Sequence, residues 1–198
     1  MMEEGKLSLD LLIGLSIFLF TFIFIASFLP GVFADVRNEI NLAHQAYRIS
    51  ALLVEDLGFD SSWDTDITIS NCQSQEFRPG LAIYDSNNGT IFNNLSVTKI
   101  RKFAELLNDP LCGERVRLFL GLNLSEFGGN KYKINVSLKN LEDELIKADG
   151  AILLNHGDSM SSGQVVKFER LVYLNQMADN CDIIAERCVA KLEVSVWI

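Results

Sequence analysis

Leu11-Leu-Ile-Gly-Leu-Ser-Ile-Phe-Leu-Phe-Thr-Phe-Ile-Phe-Ile-Ala-Ser-Phe-Leu29 decides the architecture of this chain. No charged residue occurs from Leu11 to Ala34. The apolar side chains fall on every face of a helix, which is the pattern of a segment that meets apolar surroundings on all sides. About 20 such residues cross the hydrocarbon of a bilayer. The run therefore predicts a transmembrane helix over about residues 11–33. A secretory signal would be shorter and would end in a small-residue cleavage site and a break. Here the helical pattern runs on.

Just beyond it, Pro30-Gly31 predicts a kink, because proline removes a donor and crowds the preceding turn. The pattern then becomes amphipathic over 35–57. Val36, Ile40, Ala43, Tyr47, Ser50, Val54 and Leu57 alternate at spacings of four and three, which is one helical face. Gly58 is the candidate C-terminal cap. Residues 7–57 thus read as one long helix whose second half carries a stripe in need of a partner.

The remaining residues, 58–198, read as an α+β head domain. Residues 59–80 predict loop with a short strand at Ile67–Ser70, and Leu81–Tyr84 predicts another. Asn87-Asn88-Gly89 is a turn signal. Ser96–Leu107 predicts a helix with Ser96 as N-cap, and Glu114–Leu122 a second. In Lys131–Leu138, Tyr132, Ile134, Val136 and Leu138 alternate with polar residues, as in a half-buried strand. Gly163–Leu174 and Cys188–Ile198 predict two more strands, paired antiparallel. Asn140–Lys147 predicts a helical turn and Ala151–Leu154 a short strand.

The chain has 198 residues and a net charge of −9. That charge repels phosphate backbones, which argues against nucleic acid as a partner. It equally disfavours peripheral attachment to anionic lipid, which needs clustered Lys and Arg. The four cysteines are Cys72, Cys112, Cys181 and Cys188, with no Cys-x-x-Cys pair, and His44 and His156 are the only histidines. No metal-ligand spacing results, and no cofactor is implied. Cysteines behind a membrane segment fit disulfides in an oxidising space. Closeness in sequence favours Cys181–Cys188, leaving Cys72–Cys112; four buried thiols are the other reading.

Four Asn-x-Ser/Thr sequons begin at Asn88, Asn94, Asn123 and Asn135, all in the head. They suggest a glycosylated surface. Asn135 falls opposite the apolar face of its strand. Together with the cysteines, the sequons place the head outside the cell and the N-terminus inside, where the flanking charges Lys6, Asp35 and Arg37 decide little.

Enzymatic motifs are missing: the chain has no nucleophile elbow and no phosphate loop. Asn155-His156-Gly157-Asp158-Ser159 reads as a turn rather than an acid–base group. Glu142-Asp143-Glu144 reads as a solvated acidic face. A non-enzymatic role is expected.

The densest signal is Gly5-Lys6-Leu7-Ser8-Leu9-Asp10 at the entrance to the apolar run. It resembles the class III, prepilin-type signal of archaeal type IV pilin-like proteins: a short leader, a glycine, and an acid five positions later at the start of a hydrophobic helix. More loosely, Pro79-Gly80-Leu81-Ala82, Leu95–Ile100, Leu120-Gly121-Leu122, Tyr132–Val136 and Trp197 resemble the order of such ectodomains. The resemblance implies a leader of residues 1–5, cut between Gly5 and Lys6 by a prepilin peptidase, and a mature N-terminal helix of residues 6–57. It implies partners too: membrane lipid and other pilin-like subunits in a cell-surface filament. Asp10 would neutralise the α-ammonium freed on Lys6 of a neighbouring subunit, a pair that sets direction even where its net energy is modest. Alternatively Asp10 merely favours its helix N-terminus. The competing function is a non-assembling anchored ectodomain, an adhesin or ligand-binding module.

Overall fold

The computed structural model describes residues 3–122, 131–159 and 163–198. The fold is α+β: a long N-terminal helix followed by a head with a mixed sheet and short helices. Contacts divide the chain after Asn41, so that Leu42–Ile198 form the compact head.

Helix α1 runs from Glu3 to Glu55 and continues through Pro30. It stops two residues short of Leu57. Gly58 does adopt a left-handed φ of +102°, but beyond the helix end. A Cβ there would meet the Trp63 indole at 2.4 Å and the Arg78 carbonyl oxygen at 2.8 Å, so the chain needs glycine to pass.

The buried stripe of α1 differs from the expected one. Leu42, Ala46, Ile49 and Leu53 enter the core together with Ser50 and Val54. Val36, Ile40 and Tyr47 stay exposed. Both stripes have helical spacing, and the head's packing partners select the one that starts at Leu42. Tyr47 instead packs edge-on against Phe168, with ring centroids 5.3 Å apart. Arg170 stacks over Tyr47, donates to Ser50 Oγ at 3.2 Å, and pairs with Glu55 at 2.9 Å.

After α1, the expected strand at Ile67–Ser70 does not form. A four-residue helix, α2 (Trp63–Asp66), is followed by a turn in which the Asn71 side chain accepts from the Thr68 N–H at 2.7 Å. Asn, Ser and Thr side chains compete here for backbone groups that a strand would need. Strands β1 (Ala82–Asp85) and β2 (Gly89–Leu95) make a hairpin. Helix α3 (Val97–Asn108) is capped by Ser96, as expected. Helix α4 (Pro110–Phe119) begins four residues before the expected Glu114. Asp109 caps it by accepting from Leu111 and Cys112, and Pro110 sits where its missing N–H costs nothing.

The remaining strands are β3 (Lys133–Lys139), β4 (Lys147–Ala148), β5 (Ala151–Ile152), β6 (Asn155–Gly157), β7 (Val166–Leu174), β8 (Asp182–Ile184) and β9 (Arg187–Trp197). The main sheet has the order β1-β2-β7-β9-β3-β6, with β8 also on β9. The expected pairing of the last two long strands is present, antiparallel from Val166↔Val196 to Leu174↔Cys188. The sheet is not wholly antiparallel, because β2 and β7 run parallel. The expected helical turn at Asn140–Lys147 is a loop organised by the Asn140 side chain, which accepts from the N–H groups of Glu142 and Glu144. The expected turn at Asn155–Ser159 contains the edge strand β6, paired with β3.

The alternation read in β3 and β9 holds. Ile134, Val136, Leu138, Ala190, Leu192, Val194 and Val196 are fully buried on the face that meets the core. The opposite face of β9 is covered too: Glu193, Ser195 and Trp197 are buried.

Candidate functional site

The candidate assembly segment is the first part of α1. Gly5 and Lys6 lie in its opening turns, and the side chains before Leu9 fall outside the described residues. Asp10 is exposed, the single acid between Leu9 and Ala34. Around and beyond it, large apolar side chains from Leu9 to Phe33 are exposed on all faces, from 39% at Val32 to 76% at Phe20. Full burial of one such side chain is worth about 1.5–3 kcal/mol. Covering the whole surface is therefore worth tens of kcal/mol, more than the ~5–15 kcal/mol stability of a typical domain. The segment is long and apolar enough to cross a membrane. Its two hydroxyl side chains with internal partners fit that setting. Ser16 donates to the Leu12 carbonyl at 2.7 Å and Thr21 to that of Ile17 at 2.8 Å, so neither brings an unpaired donor into an apolar phase.

Both favoured disulfides are present. Cys72–Cys112 ties the loop after α2 to α4, with Cα atoms 5.7 Å apart. Cys181–Cys188 spans the β8–β9 hairpin, with Cα atoms 5.5 Å apart. Such bonds suggest an oxidising, extracellular setting for the head.

The sequons fall in unlike surroundings. Asn88 is exposed in the β1–β2 turn. Asn94 is half-buried in β2 beside Tyr173 of β7. Asn135, expected at the surface, is half-buried in β3 between Gly157 and Ser195, because β3 has neighbours on both sides. Asn123 lies outside the described residues.

His44 is exposed on α1 and His156 is half-buried in β6. Asp158 is occupied structurally: it accepts from the Ile134 N–H at 3.1 Å and pairs with Arg117 at 3.2 Å. In the acidic stretch, Asp143 pairs with Lys191. Hydrogen bonding to Lys191 holds the Asp143 carboxyl below the usual carboxylate range, and the same bond raises Lys191.

Two buried charges were not anticipated. Glu193, on the far face of β9, receives Lys139 at 2.7 Å and Lys167 at 3.5 Å. Burial pushes its carboxyl up, but the two lysines outweigh burial and hold it below the usual range. Lys99, in the first turn of α3, is 4% exposed. Its ammonium donates to the carbonyl oxygens of Leu57 and Ala82, at 2.6 and 3.1 Å. Burial pushes Lys99 down, against an opposing pull from Asp64, Asp60 and Asp56. Lys99 also borders an open cleft of about 450 Å³, with Ser61, Asp64, Tyr84, Thr98 and Asn175 among its walls. The available signal was position: Lys99 shares its helical stripe with Phe103 and Leu106.

Comparison with known proteins gives a family without an assigned activity. A family model described as a family of unknown function (DUF7287) matches residues 2–94, from α1 through most of β2. A protein of Archaeoglobus fulgidus, described as an uncharacterized protein, is 54% identical over 198 residues, covering 99% of each chain. No solved structure matches. The chain therefore belongs to one family with this uncharacterized archaeal protein, and its residues 2–94 are similar to the DUF7287 family of unknown function.

Proposed function

We propose that the chain is a type IV pilin-like subunit, major or minor, of an archaeal cell-surface filament, and is not an enzyme. The observation that carries this is the Gly5–Asp10 spacing at the mouth of an apolar helix exposed on all faces. A helix apolar all round suits lipid before assembly and the packed helices of sister subunits afterwards. In such a bundle, Asp10 of one subunit neutralises the α-ammonium that cleavage after Gly5 creates on another. Lipid, sister subunits and a prepilin peptidase are its partners. The disulfide-linked head faces outward on the cell surface or filament. The archaeal relative, matched over the whole chain, is consistent with this setting.

The test is N-terminal sequencing of the protein from its native membranes. A mature chain starting at Lys6 supports processing by a prepilin peptidase. An uncut chain starting at Met1 or Met2 sinks this reading. One observation favours the second reading, a non-assembling anchored ectodomain with a ligand: the polar cleft beside Lys99. An uncut, surface-displayed chain would move the weight to it.

A further inference from the structure

Strand β1 is an edge of the main sheet, since the strand order begins β1-β2. An edge offers unpaired backbone groups to any passing strand, and proteins normally blunt it. Here the hairpin that forms this edge carries two exposed aromatic rings, Tyr84 on β1 and Phe92 on β2. Tyr84 pairs with Thr90 across the hairpin, so the two share a face, and Phe92 follows two residues after Thr90, where the register shifts. Tyr84 is 55% exposed and Phe92 63% exposed. Nothing in the hairpin itself covers them.

The turn that joins these strands holds Asn88-Gly89-Thr90. Asn88 is exposed, and its Nδ2 makes only a long bond of 3.4 Å to Asp85 Oδ1, which is readily given up. Thr90, the hydroxyl residue of this sequon, is half-buried opposite Tyr84. The other described sequons differ at the same two positions. Ser96, the hydroxyl residue of the Asn94 sequon, is buried and caps α3 by accepting from the Lys99 N–H. Ser137, that of the Asn135 sequon, is 2% exposed. Around Asn135 the neighbouring strand passes so closely that a Cβ on Gly157 would come within 2.8 Å of the Asn135 Cα.

We propose that Asn88 carries an N-linked glycan that lies over Tyr84 and Phe92 and covers the free edge of β1, whereas Asn94 and Asn135 stay unmodified. The donor is an oligosaccharide activated as a phosphate ester. Asn88 Nδ2 forms a bond to the anomeric carbon while the bond from that carbon to the phosphate oxygen breaks. The electron pair leaves on the phosphate, and one amide proton passes to a base of the transferase. The sugar's C–H faces then lie on the two rings, and its hydroxyls hydrate the strand edge. This inference rests on the proposed outward placement of the head.

The experiment maps glycopeptides of the full-length protein from its native membranes, with fragmentation that localises the attachment. In parallel, intact cells are treated with a membrane-impermeant amine reagent, and labelling is read at the exposed Lys133 and Lys147. Labelled lysines with a sugar mass on Asn88 and none on Asn94 or Asn135 support the inference. Labelled lysines with a bare Asn88, or with sugar on Asn94 or Asn135, overturn it and leave the outward placement standing. Lysines labelled only after lysis overturn both. Asn88→Gln and Thr90→Ala should each abolish the mass increment, and Thr90→Ser should keep it. Hydroxyl-radical footprinting of Asn88→Gln should show a several-fold rise in oxidation at Tyr84 and Phe92. Unchanged oxidation there would overturn the covering role.

Discussion

The Lys99 ammonium donates to the Leu57 carbonyl oxygen at 2.6 Å, and so fastens the first turn of α3 to the segment leaving α1. Because Ala82 accepts from the same ammonium, one buried cation joins three stretches of chain. In Lys99→Met both carbonyls lose their donor, at a cost of about 1–3 kcal/mol each if left unpaired. Relief from burying a charge offsets part of that. The expected net outcome is a lower midpoint in thermal unfolding of the full-length protein in detergent. The pH dependence carries the sign. The folded-state pKa of Lys99 lies below its unfolded value of about 10.4, so the unfolded chain binds more protons between those two values. Stability contributed at this site therefore rises with pH through that alkaline window and is flat well below it. Wild type should show this slope relative to Lys99→Met; parallel curves would contradict it.

Glu193 has the opposite signature. Its carboxyl is held below the usual range by Lys139 and Lys167. Its stabilising contribution is thus present above the unfolded value of about 4.3 and is lost as pH falls through the lower folded value. Glu193→Gln should cost about 1.5–3 kcal/mol at neutral pH, the usual worth of hydrogen bonds to charged groups. It should also remove part of the acid-side decline, read from unfolding midpoints between neutral pH and the acid limit.

The disulfides should differ in weight. Cys72–Cys112 closes a loop with a separation of 40 residues, Cys181–Cys188 one of 7. Chain-entropy reasoning gives about 4 kcal/mol for the first and about 2 kcal/mol for the second. Paired Cys→Ser variants at 72 and 112 should unfold at markedly lower denaturant than those at 181 and 188. The reverse order would show that loop entropy is not what these bonds supply.

The β8–β9 turn holds Ala185 and Glu186 at φ of 51° and 64°. Tight two-residue turns of this hand favour Asn-Gly or Asp-Gly because a Cβ is disfavoured there. Glu186→Gly should therefore raise stability by up to about 1 kcal/mol, a gain equilibrium denaturation can resolve.

Asp10→Ala should leave membrane insertion unchanged, because it removes a charge from the edge of the apolar run. The same substitution should abolish incorporation into filaments. Membrane fractionation reads the first and electron microscopy of sheared surface material reads the second; normal filaments from this variant would remove the role proposed for Asp10.

What the sequence disclosed was local and periodic. The helix from Leu11 onward, the alternation in Tyr132–Leu138, and the pairing of the last two long strands each repeat one pattern over enough residues to outvote accidents. The missed features depended on partners distant in sequence. Two stripes fit the second half of α1 equally well, and only the sheet beneath decides for Leu42, Ala46, Ile49 and Leu53. Asp109-Pro110 is a local helix-start signal, and α4 begins there, four residues before the expected Glu114. The β8–β9 turn lacks the glycine that would have advertised it. The anchoring role of Lys99 is not legible locally, because the carbonyls that hold it come from Leu57 and Ala82.

One consequence concerns delivery of the chain. Strand β9 is the latest strand in chain order, and β3, β7 and β8 all pair with it. A polypeptide threaded through a translocation channel with α1 leading would present β3 and β7 with only their short pairings to β6 and β2 until residues 187–197 emerged. On the proposed outward placement, closure of the head follows translocation. An arrested nascent chain lacking those residues should be protease-sensitive and dependent on chaperones, whereas its leading helix should already reside in lipid.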